Sequence, residues 1–289
     1  MAANKTPRQD RKLLYVAPVI IAAIVIVIWV LALFRQPVAT PEAVHVEVKK
    51  TSSAVASSLS APEPVPVLTR ADLIREARDA ADEFTVAGKI PVGADRLVGR
   101  RFSVRIPFGC GGVRGGYGPA QMAMTYNVSS QSISLTASPG VWNTLPLMDE
   151  IINGSDIESV EGFWIPRPWT YTDSCPAQTD YPVPPTPTPP TGQTLGLAQL
   201  FEAGSSRVPR RTEHPYAFVR KLQTGDAEVL SHSYRLVLEG EISRYSRGNP
   251  LKCWIEAPDH QPICIYAVVF NHVAFEDAAT GEMLASWNE

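Results

Sequence analysis

The sequence contains few of the residues that build metal and redox sites, and it lacks the motifs of the common hydrolases. Among its 289 residues there are four cysteines, five histidines and five methionines. No two cysteines are spaced as C-x-x-C, which argues against a structural zinc site. The G-x-S-x-G, H-E-x-x-H and S-x-x-K patterns are also missing. These absences predict no metal and no cofactor, and they leave no catalytic residue to assign.

An excess of positive charge is missing too. The chain has a net charge of −3, from 26 basic and 29 acidic residues. Five of the basic residues and one acidic residue precede position 36, so the remainder carries 21 basic and 28 acidic side chains, a net charge of −7. A protein that neutralises nucleic-acid phosphates needs a basic surface. The charge balance therefore predicts no nucleic-acid partner.

Charged residues are absent from residues 13–34, and this stretch predicts a transmembrane helix. Fifteen of its residues are Leu, Ile, Val or Phe. About 22 helical residues span roughly 33 Å, enough to cross a hydrocarbon layer of about 30 Å. A cleavable signal peptide is the alternative, but it has a shorter apolar core followed by a small-residue cleavage site. This stretch instead runs into Arg35 and Pro37, which favours an uncleaved span.

The residues around this span predict its orientation and a tether. Four basic residues lie between positions 5 and 12, and only Arg35 follows the span closely. Basic residues favour the cytosolic side of a membrane, so we expect residues 1–12 in the cytosol and the rest outside it. Residues 35–68 contain five prolines and a stretch rich in Ser and Ala. Such a segment buries too little apolar surface to fold, which predicts an extracytoplasmic linker.

The segment from 69 to 289 predicts an α+β, β-rich domain of antiparallel strands with one N-terminal amphipathic helix. Thr69 and Asp72 form a helix start signal, apolar residues recur at helical spacing as far as Phe84, and Gly88 is a stop. Alternating apolar residues then predict strands at 101–108, 122–126 and 133–137, and the turn signal Asn153-Gly154 predicts a further strand at 157–165. A turn-rich break at 127–131 predicts a hairpin between the second and third of these.

A proline-rich stretch at 182–192 predicts either a long surface loop or a division of the domain into two lobes. After it, residues 195–201 predict a short helix that ends at Gly204. The longest apolar run, 263–275, predicts a central strand buried on both faces. Other strands are predicted at 216–219, 234–238, 253–255 and 283–287.

The four cysteines predict two disulfides, because an even number of cysteines outside the cytosol favours pairing. Four cysteines allow three connectivities. Cys253 and Cys264 lie on either side of a turn-rich segment that brings two strands together, so we expect Cys253–Cys264. Cys110–Cys175 then follows by elimination.

A candidate recognition surface lies in residues 163–169, which read Phe-Trp-Ile-Pro-Arg-Pro-Trp. The segment has few polar residues, and its two prolines restrict the backbone conformation. If it is exposed, Phe163, Trp164 and Trp169 form a surface suited to binding a partner. In the alternative, Phe163 and Trp169 pack inside the domain.

Two further features predict other kinds of site. His232, His260 and His272 are candidates for the general base of a hydrolase, and His232 and His272 would meet Glu276 if their strands pair. The glycine-rich stretch at 109–118 lacks the pattern of a phosphate-binding loop. It predicts a turn whose glycines allow positive φ and close backbone approach, or alternatively the mouth of a small-ligand site.

The layout of one N-terminal anchor, a tether and a disulfide-bonded domain resembles that of bacterial envelope proteins with a periplasmic domain. The resemblance implies a single-pass inner-membrane protein with a cytosolic N-terminus and a periplasmic C-terminal domain. We predict a non-enzymatic protein whose partners are the lipid bilayer, through residues 13–34, and another envelope protein or cell-wall component. Two alternatives stay open: an envelope hydrolase that acts on cell wall or peptide, and a small-ligand-binding domain.

Overall fold

The computed structural model describes residues 65–113, 121–153, 155–177, 193–206, 208–211, 214–246 and 248–289. These residues all belong to one compact unit, Pro62–Glu289. Within the described ranges, no helix combines the length and apolarity needed to cross a bilayer. The predicted span at 13–34, the linker to residue 64 and the proline-rich stretch at 182–192 lie outside the described residues.

The described residues form a mixed, strand-rich fold. There are two α-helices in these ranges, α1 (Arg70–Ala87) and α2 (Pro146–Ile152), and short 3-10 helices at Val92–Leu97 and Asp226–Ser231. The strands are β1 (Arg101–Phe108), β2 (Met122–Asn127), β3 (Ser132–Ala137), β4 (Gly140–Val141), β5 (Ile157–Trp164), β6 (Leu195–Glu202), β7 (Tyr216–Lys221), β8 (Tyr234–Ile242), β9 (Leu251–Trp254), β10 (Ile263–Asp277) and β11 (Met283–Asn288).

Helix α1 begins and ends where the sequence signals predict. The Thr69 hydroxyl accepts the Asp72 backbone N–H, and the Asp72 carboxylate accepts the Thr69 backbone N–H, which completes a capping box. Gly88 ends the helix in the left-handed region with φ 67°. The helix buries Leu73, Ile74, Ala77 and Ala80 on the face that packs against the large sheet.

Strand β10 organises the larger sheet, whose strand order is β1-β8-β10-β6-β5-β4. On one side of β10, the antiparallel strands β8 and β9 lie end to end. On the other side, the parallel strand β6 and the antiparallel strand β11 follow one another. The remaining strand pairs of this sheet are antiparallel.

The smaller sheet has three antiparallel strands in the order β2-β3-β7. Strands β2 and β3 form the predicted hairpin. In both sheets, strands that precede residues 182–192 pair with strands that follow them: β1 with β8, β5 with β6, and β3 with β7. The two halves of the sequence are therefore interleaved in one set of sheets.

Two clusters of buried apolar residues lie on the two faces of β10. Cys264, Tyr266 and Val268 belong to the larger cluster, which also contains the apolar face of α1. Ile265 and Ala267 point the other way, into a smaller cluster around Trp142. The prediction of a strand buried on both faces is confirmed, and it holds because β10 has neighbours along both edges and a cluster on each face.

Some elements differ from the sequence expectations. Residues 195–201 were expected to form a helix, and this prediction is wrong: they form strand β6, which is buried on both faces between β10 and β5. A short apolar run fits a buried helix and a buried strand equally well, so pairing with distant strands decides. Helix α2 was not predicted; Pro146 occupies its first turn.

Candidate recognition surface

The structure separates the three residues of the predicted recognition surface. Phe163 is 1% exposed and Trp164 9% exposed, whereas Trp169 is 58% exposed. Phe163 packs edge-on against Phe270 in the larger cluster, with ring centroids 6.1 Å apart. Trp164 lies 4.3 Å from Trp142 in the smaller cluster. The prediction is therefore wrong for Phe163 and Trp164, because β5 is an interior strand and both of its faces are buried at this end.

Trp169 has an exposed neighbour, Tyr171, which is 50% exposed. Both belong to a loop that leaves the sheet after β5, which we call the aromatic loop (residues 165–175). Large aromatic side chains are ordinarily buried on folding, and paired exposed aromatics on one short loop are typical of binding surfaces. Trp and Tyr also offer a large contact area at little cost in side-chain entropy.

A buried arginine holds the aromatic loop to the body of the domain. Arg70, the first residue of α1, is only 4% exposed. Its Nη2 donates to the carbonyls of Pro166 at 2.5 Å and Arg167 at 3.1 Å, and its Nε donates to the carbonyl of Thr170 at 3.2 Å. A single guanidinium thus binds the loop backbone on both sides of Trp169.

Arg70 keeps its positive charge although its side chain is buried. Burial, and secondarily the charge of Arg167, lowers the pKa of Arg70 to about 10, although Asp173 acts in the opposite direction. The group still carries its charge at neutral pH. A buried charge is tolerated where hydrogen bonds replace its hydration, and the loop carbonyls supply such bonds to Nε and Nη2, whereas Nη1 has no hydrogen-bond partner among the described residues.

Further contacts fix the loop internally. Arg167 adopts a positive φ of 50°, and its carbonyl accepts the N–H of Thr170 at 3.0 Å, which closes a tight turn before Tyr171. The Arg167 guanidinium donates to the carbonyl of Ser174 at 2.7 Å. Cys175 then joins Cys110 in a disulfide, with Cα atoms 5.6 Å apart. The loop backbone is held at its start, middle and end, so Trp169 and Tyr171 are displayed from a defined position.

The cysteine pairing agrees with the sequence prediction. Cys110 is bonded to Cys175, and Cys253 is bonded to Cys264. The second bond joins residues that lie directly opposite one another on β9 and β10. Disulfides persist in oxidising compartments, and a cytosolic domain rarely contains two.

The candidate histidines lie in different places. His232 Nδ1 is 2.7 Å from Asp277 Oδ2, and His260 Nδ1 is 3.5 Å from Glu256 Oε2. His272 Nδ1 is 3.3 Å from Glu239 Oε2.

The structure does not pair His232 and His272 with Glu276 as the sequence predicted, because each histidine faces a different carboxylate. Glu276 instead binds Arg105 and Arg235.

A serine lies near His272, but its geometry differs from that of a nucleophile. The Ser103 hydroxyl donates to Glu239 Oε1 at 3.0 Å, so the carboxylate stands between the hydroxyl and the imidazole. A serine nucleophile needs its hydroxyl hydrogen-bonded to the base. This cross-strand row of Ser103, Glu239 and His272 is therefore a polar ladder on neighbouring strands β1, β8 and β10.

A small polar cleft lies beside β5, β6 and β7. The Arg211 backbone N–H donates to Glu161 Oε2 at 3.0 Å, and the Arg211 guanidinium and the Tyr216 hydroxyl both donate to Glu289 Oε1. Burial, then the charge of Glu289, raises the pKa of Tyr216. The cavity among these groups and Phe163 measures about 10 Å³, the room of roughly one water molecule.

The described part of the glycine-rich stretch is a packed turn. Gly109 and Gly112 have φ of 63° and 71°, and a Cβ on Gly112 would collide with the backbone of Leu230. The Val113 N–H donates to the Leu230 carbonyl at 3.0 Å. Residues 114–120 lie outside the described ranges. Across the described part of the chain, no cluster of three or more His, Cys, Asp or Glu is placed to hold a metal ion.

Sequence reasoning missed Arg70 and Tyr171. Tyr171 follows the aromatic and proline-rich segment by two residues, and that continuity was the available signal. Arg70 stands in the first turn of a helix, where the helix dipole disfavours a positive charge. An unfavourably placed charge of this kind indicates a tertiary partner.

Comparison of the chain with protein-family models, with curated proteins and with solved structures finds no match in any of the three.

Proposed function

We propose that this protein is a single-pass, membrane-anchored envelope protein whose extracytoplasmic domain binds another envelope component through the aromatic loop. In this proposal residues 13–34 cross the bilayer, residues 35–67 form the tether, and the domain, which starts with the buried Leu68 beside β1, works in the periplasm. The protein acts by binding, without catalysing a reaction.

Two disulfides support the compartment. Both bonds close the chain on itself, and such bonds form and persist where thiols are not kept reduced. The charges that flank residues 13–34 favour the same side of the membrane for the domain.

The main support for the proposal is that Trp169 and Tyr171 are exposed on a loop whose backbone is held in place. Arg70, the tight turn at Arg167 and the Cys110–Cys175 bond hold the loop that presents them. A loop that is already ordered loses little conformational entropy on binding, and exposed Trp and Tyr are the residues most enriched at interface hot spots.

The two alternatives have less support in the described residues. A hydrolase needs a base in contact with its nucleophile or water, whereas His232, His260 and His272 each face a carboxylate in a different part of the domain. A small-ligand domain needs a cavity of a few hundred Å³. The cleft beside Tyr216 has room for roughly one water molecule, and the predicted pocket near residues 109–118 lies partly outside the described residues.

Photo-crosslinking in native membranes tests the proposal. A benzophenone-bearing phenylalanine analogue replaces Trp169 or Tyr171 in the full-length protein, and adducts are analysed after illumination of intact cells. We expect adducts with an envelope component at both positions. The same analogue at Val86 is the matched control, because Val86 is exposed near the other end of α1, roughly 24 Å from Arg70 along the helix.

The comparison of adduct yields at positions 169, 171 and 86 distinguishes the possible outcomes. Adducts at positions 169 and 171 that exceed those at position 86 support the proposal. Equal labelling at all three positions would mean that the aromatic loop is not the binding surface.

A further inference from the structure

We propose that the component bound by the aromatic loop is the lipid headgroup layer of the membrane to which the chain is tethered. This inference rests on the proposed function and names the partner of the same loop. It replaces a general envelope partner with a lipid surface, recognised by aromatic and aliphatic side chains.

The first argument is the place of the loop in the domain. The chain enters the fold through Leu68, which is buried and pairs in parallel with Phe102 of β1. Two residues later, Arg70 binds the carbonyls of Pro166, Arg167 and Thr170. The aromatic loop is therefore bonded to the point at which the predicted tether joins the domain.

The second argument is the chemistry of this end of the domain. Besides Trp169 and Tyr171, the exposed large apolar side chains include Val65 and Val67. Trp and Tyr are the residues that concentrate at the membrane–water interface, where the ring lies among the headgroups and the polar atom stays hydrated.

Basic side chains also lie at this end. The guanidinium of Arg100 donates to the Pro66 carbonyl at 2.7 Å, and Arg101 is exposed next to it. Arginine beside interfacial aromatics is compatible with lipid phosphates.

The third argument concerns the affinity that the aromatic loop needs for the membrane surface. A tether raises the effective concentration of the membrane surface near the domain to the order of millimolar, so a weak contact suffices for occupancy. Two aromatic and two valine side chains are a contact of that modest size. Because the region beyond residue 35 has a net charge of −7, attraction to anionic lipid is not the main source of the binding free energy. We therefore expect little dependence on salt.

The experiment uses the full-length protein in nanodiscs whose lipids carry bromine on the acyl chain just below the headgroup. Bromine quenches tryptophan fluorescence only at short range. In wild-type protein we expect quenching relative to unbrominated discs, and Trp169→Phe should remove roughly half of it, because Trp29 in the predicted span stays quenched. Raising NaCl from 0.1 to 1 M shortens the Debye length from about 10 to about 3 Å. This change should not alter the amount of quenching that Trp169→Phe removes.

A matched variant controls for exposure alone. Val86→Trp in the Trp169→Phe background places a tryptophan at another exposed position, near the far end of α1. Its quenching should equal that of Trp169→Phe by itself. Circular dichroism of each variant checks that the fold is retained.

The outcomes separate this inference from the function on which it rests. Equal quenching of wild type and Trp169→Phe overturns the lipid inference. If position 169 then crosslinks to a protein or to cell-wall material, the binding function stands with a different partner. If position 169 gives neither quenching nor a specific adduct, both proposals fail.

Discussion

Glu276 shows how a single charged residue is accommodated in the interior of the large sheet. It lies on β10 with its side chain 7% exposed, and it binds Arg235 of the neighbouring strand β8 and Arg105 of β1, the next strand along. The Arg235 guanidinium donates to Oε1 at 2.7 Å and the Arg105 guanidinium donates to Oε2 at 3.1 Å. Burial opposes the charge of the carboxylate, but the two arginines outweigh burial and lower the pKa of Glu276.

This pKa predicts how stability depends on pH. A carboxyl group whose folded-state pKa is depressed stabilises the fold above its unfolded pKa, near 4.5, and the contribution is lost as the pH falls through the lower folded value. We expect Glu276→Gln to lower the free energy of unfolding by about 2 kcal/mol at pH 7, because two charged hydrogen bonds are weakened. The difference between wild type and variant should shrink steadily below pH 4.5, as measured by thermal unfolding.

Glu282→Gln is the matched control, because Glu282 is exposed in the turn between β10 and β11. It should change stability by less than about 0.5 kcal/mol at any of these pH values. A gap between wild type and Glu276→Gln that stays constant down to pH 2 would refute the role of the charge.

At the scale of elements, the packing of Trp142 depends on glycines in β5 and β6. The indole ring lies directly over Gly162 and Gly196, where an added Cβ would come within 2.6 Å and 2.8 Å of ring carbons. Trp142 also stacks against Trp164 and anchors the smaller cluster under α2. The glycines let one edge of the large ring approach the sheet backbone closely, and a side chain at either position would prevent this approach.

Gly162→Ala should therefore be costly. The new methyl group would collide with the Trp142 ring and with the carbonyl of Leu197, so the buried ring or the sheet backbone would have to shift. Overpacking of this kind costs about 2–3 kcal/mol in the free energy of unfolding, which urea titration followed by tryptophan fluorescence will measure.

Gly93→Ala provides the comparison. Its Cβ would meet only the end of the flexible Arg96 side chain, at 3.3 Å, so we expect a change within about 0.5 kcal/mol. If the two variants were equally stable, the close approach of Trp142 would not constrain Gly162.

Local sequence patterns were sufficient for most elements at this scale and insufficient for a few, of which β6 is the clearest. The alternation at 101–108 and the capping signals at Thr69 and Gly88 gave β1 and α1 because each signal lies within the element itself. Residues 195–201 carried no such signal. Their strand conformation comes from pairing with β10 and β5, which are distant in the sequence.

At the scale of the whole molecule, the two disulfides tie together different parts of the fold. Cys110–Cys175 spans 65 residues and connects the turn after β1 to the aromatic loop. Cys253–Cys264 spans 11 residues and joins two neighbouring strands. A crosslink restricts the unfolded chain more when the loop that it closes is longer.

The chain-entropy argument ranks the two bonds. Replacing Cys110 and Cys175 by alanine should lower the free energy of unfolding by about 4 kcal/mol, and replacing Cys253 and Cys264 should lower it by about 3 kcal/mol. Denaturant unfolding of the two double variants under non-reducing conditions gives both values. A larger loss for the shorter loop would show that local geometry, rather than chain entropy, dominates.

By itself the sequence determined the order of most elements, the strand β10 that is buried on both faces, and the cysteine pairing. It also predicts the membrane anchor and tether, which lie outside the described residues. These features follow from local periodicity, length and spacing, which are properties of neighbouring residues. Only the tertiary structure decided which aromatics reach the surface: Phe163 and Trp164 are buried, while Trp169 and Tyr171 are exposed on a loop held by Arg70. The physical reason is that burial depends on partners far away in the chain, and here those partners are separated by about a hundred residues.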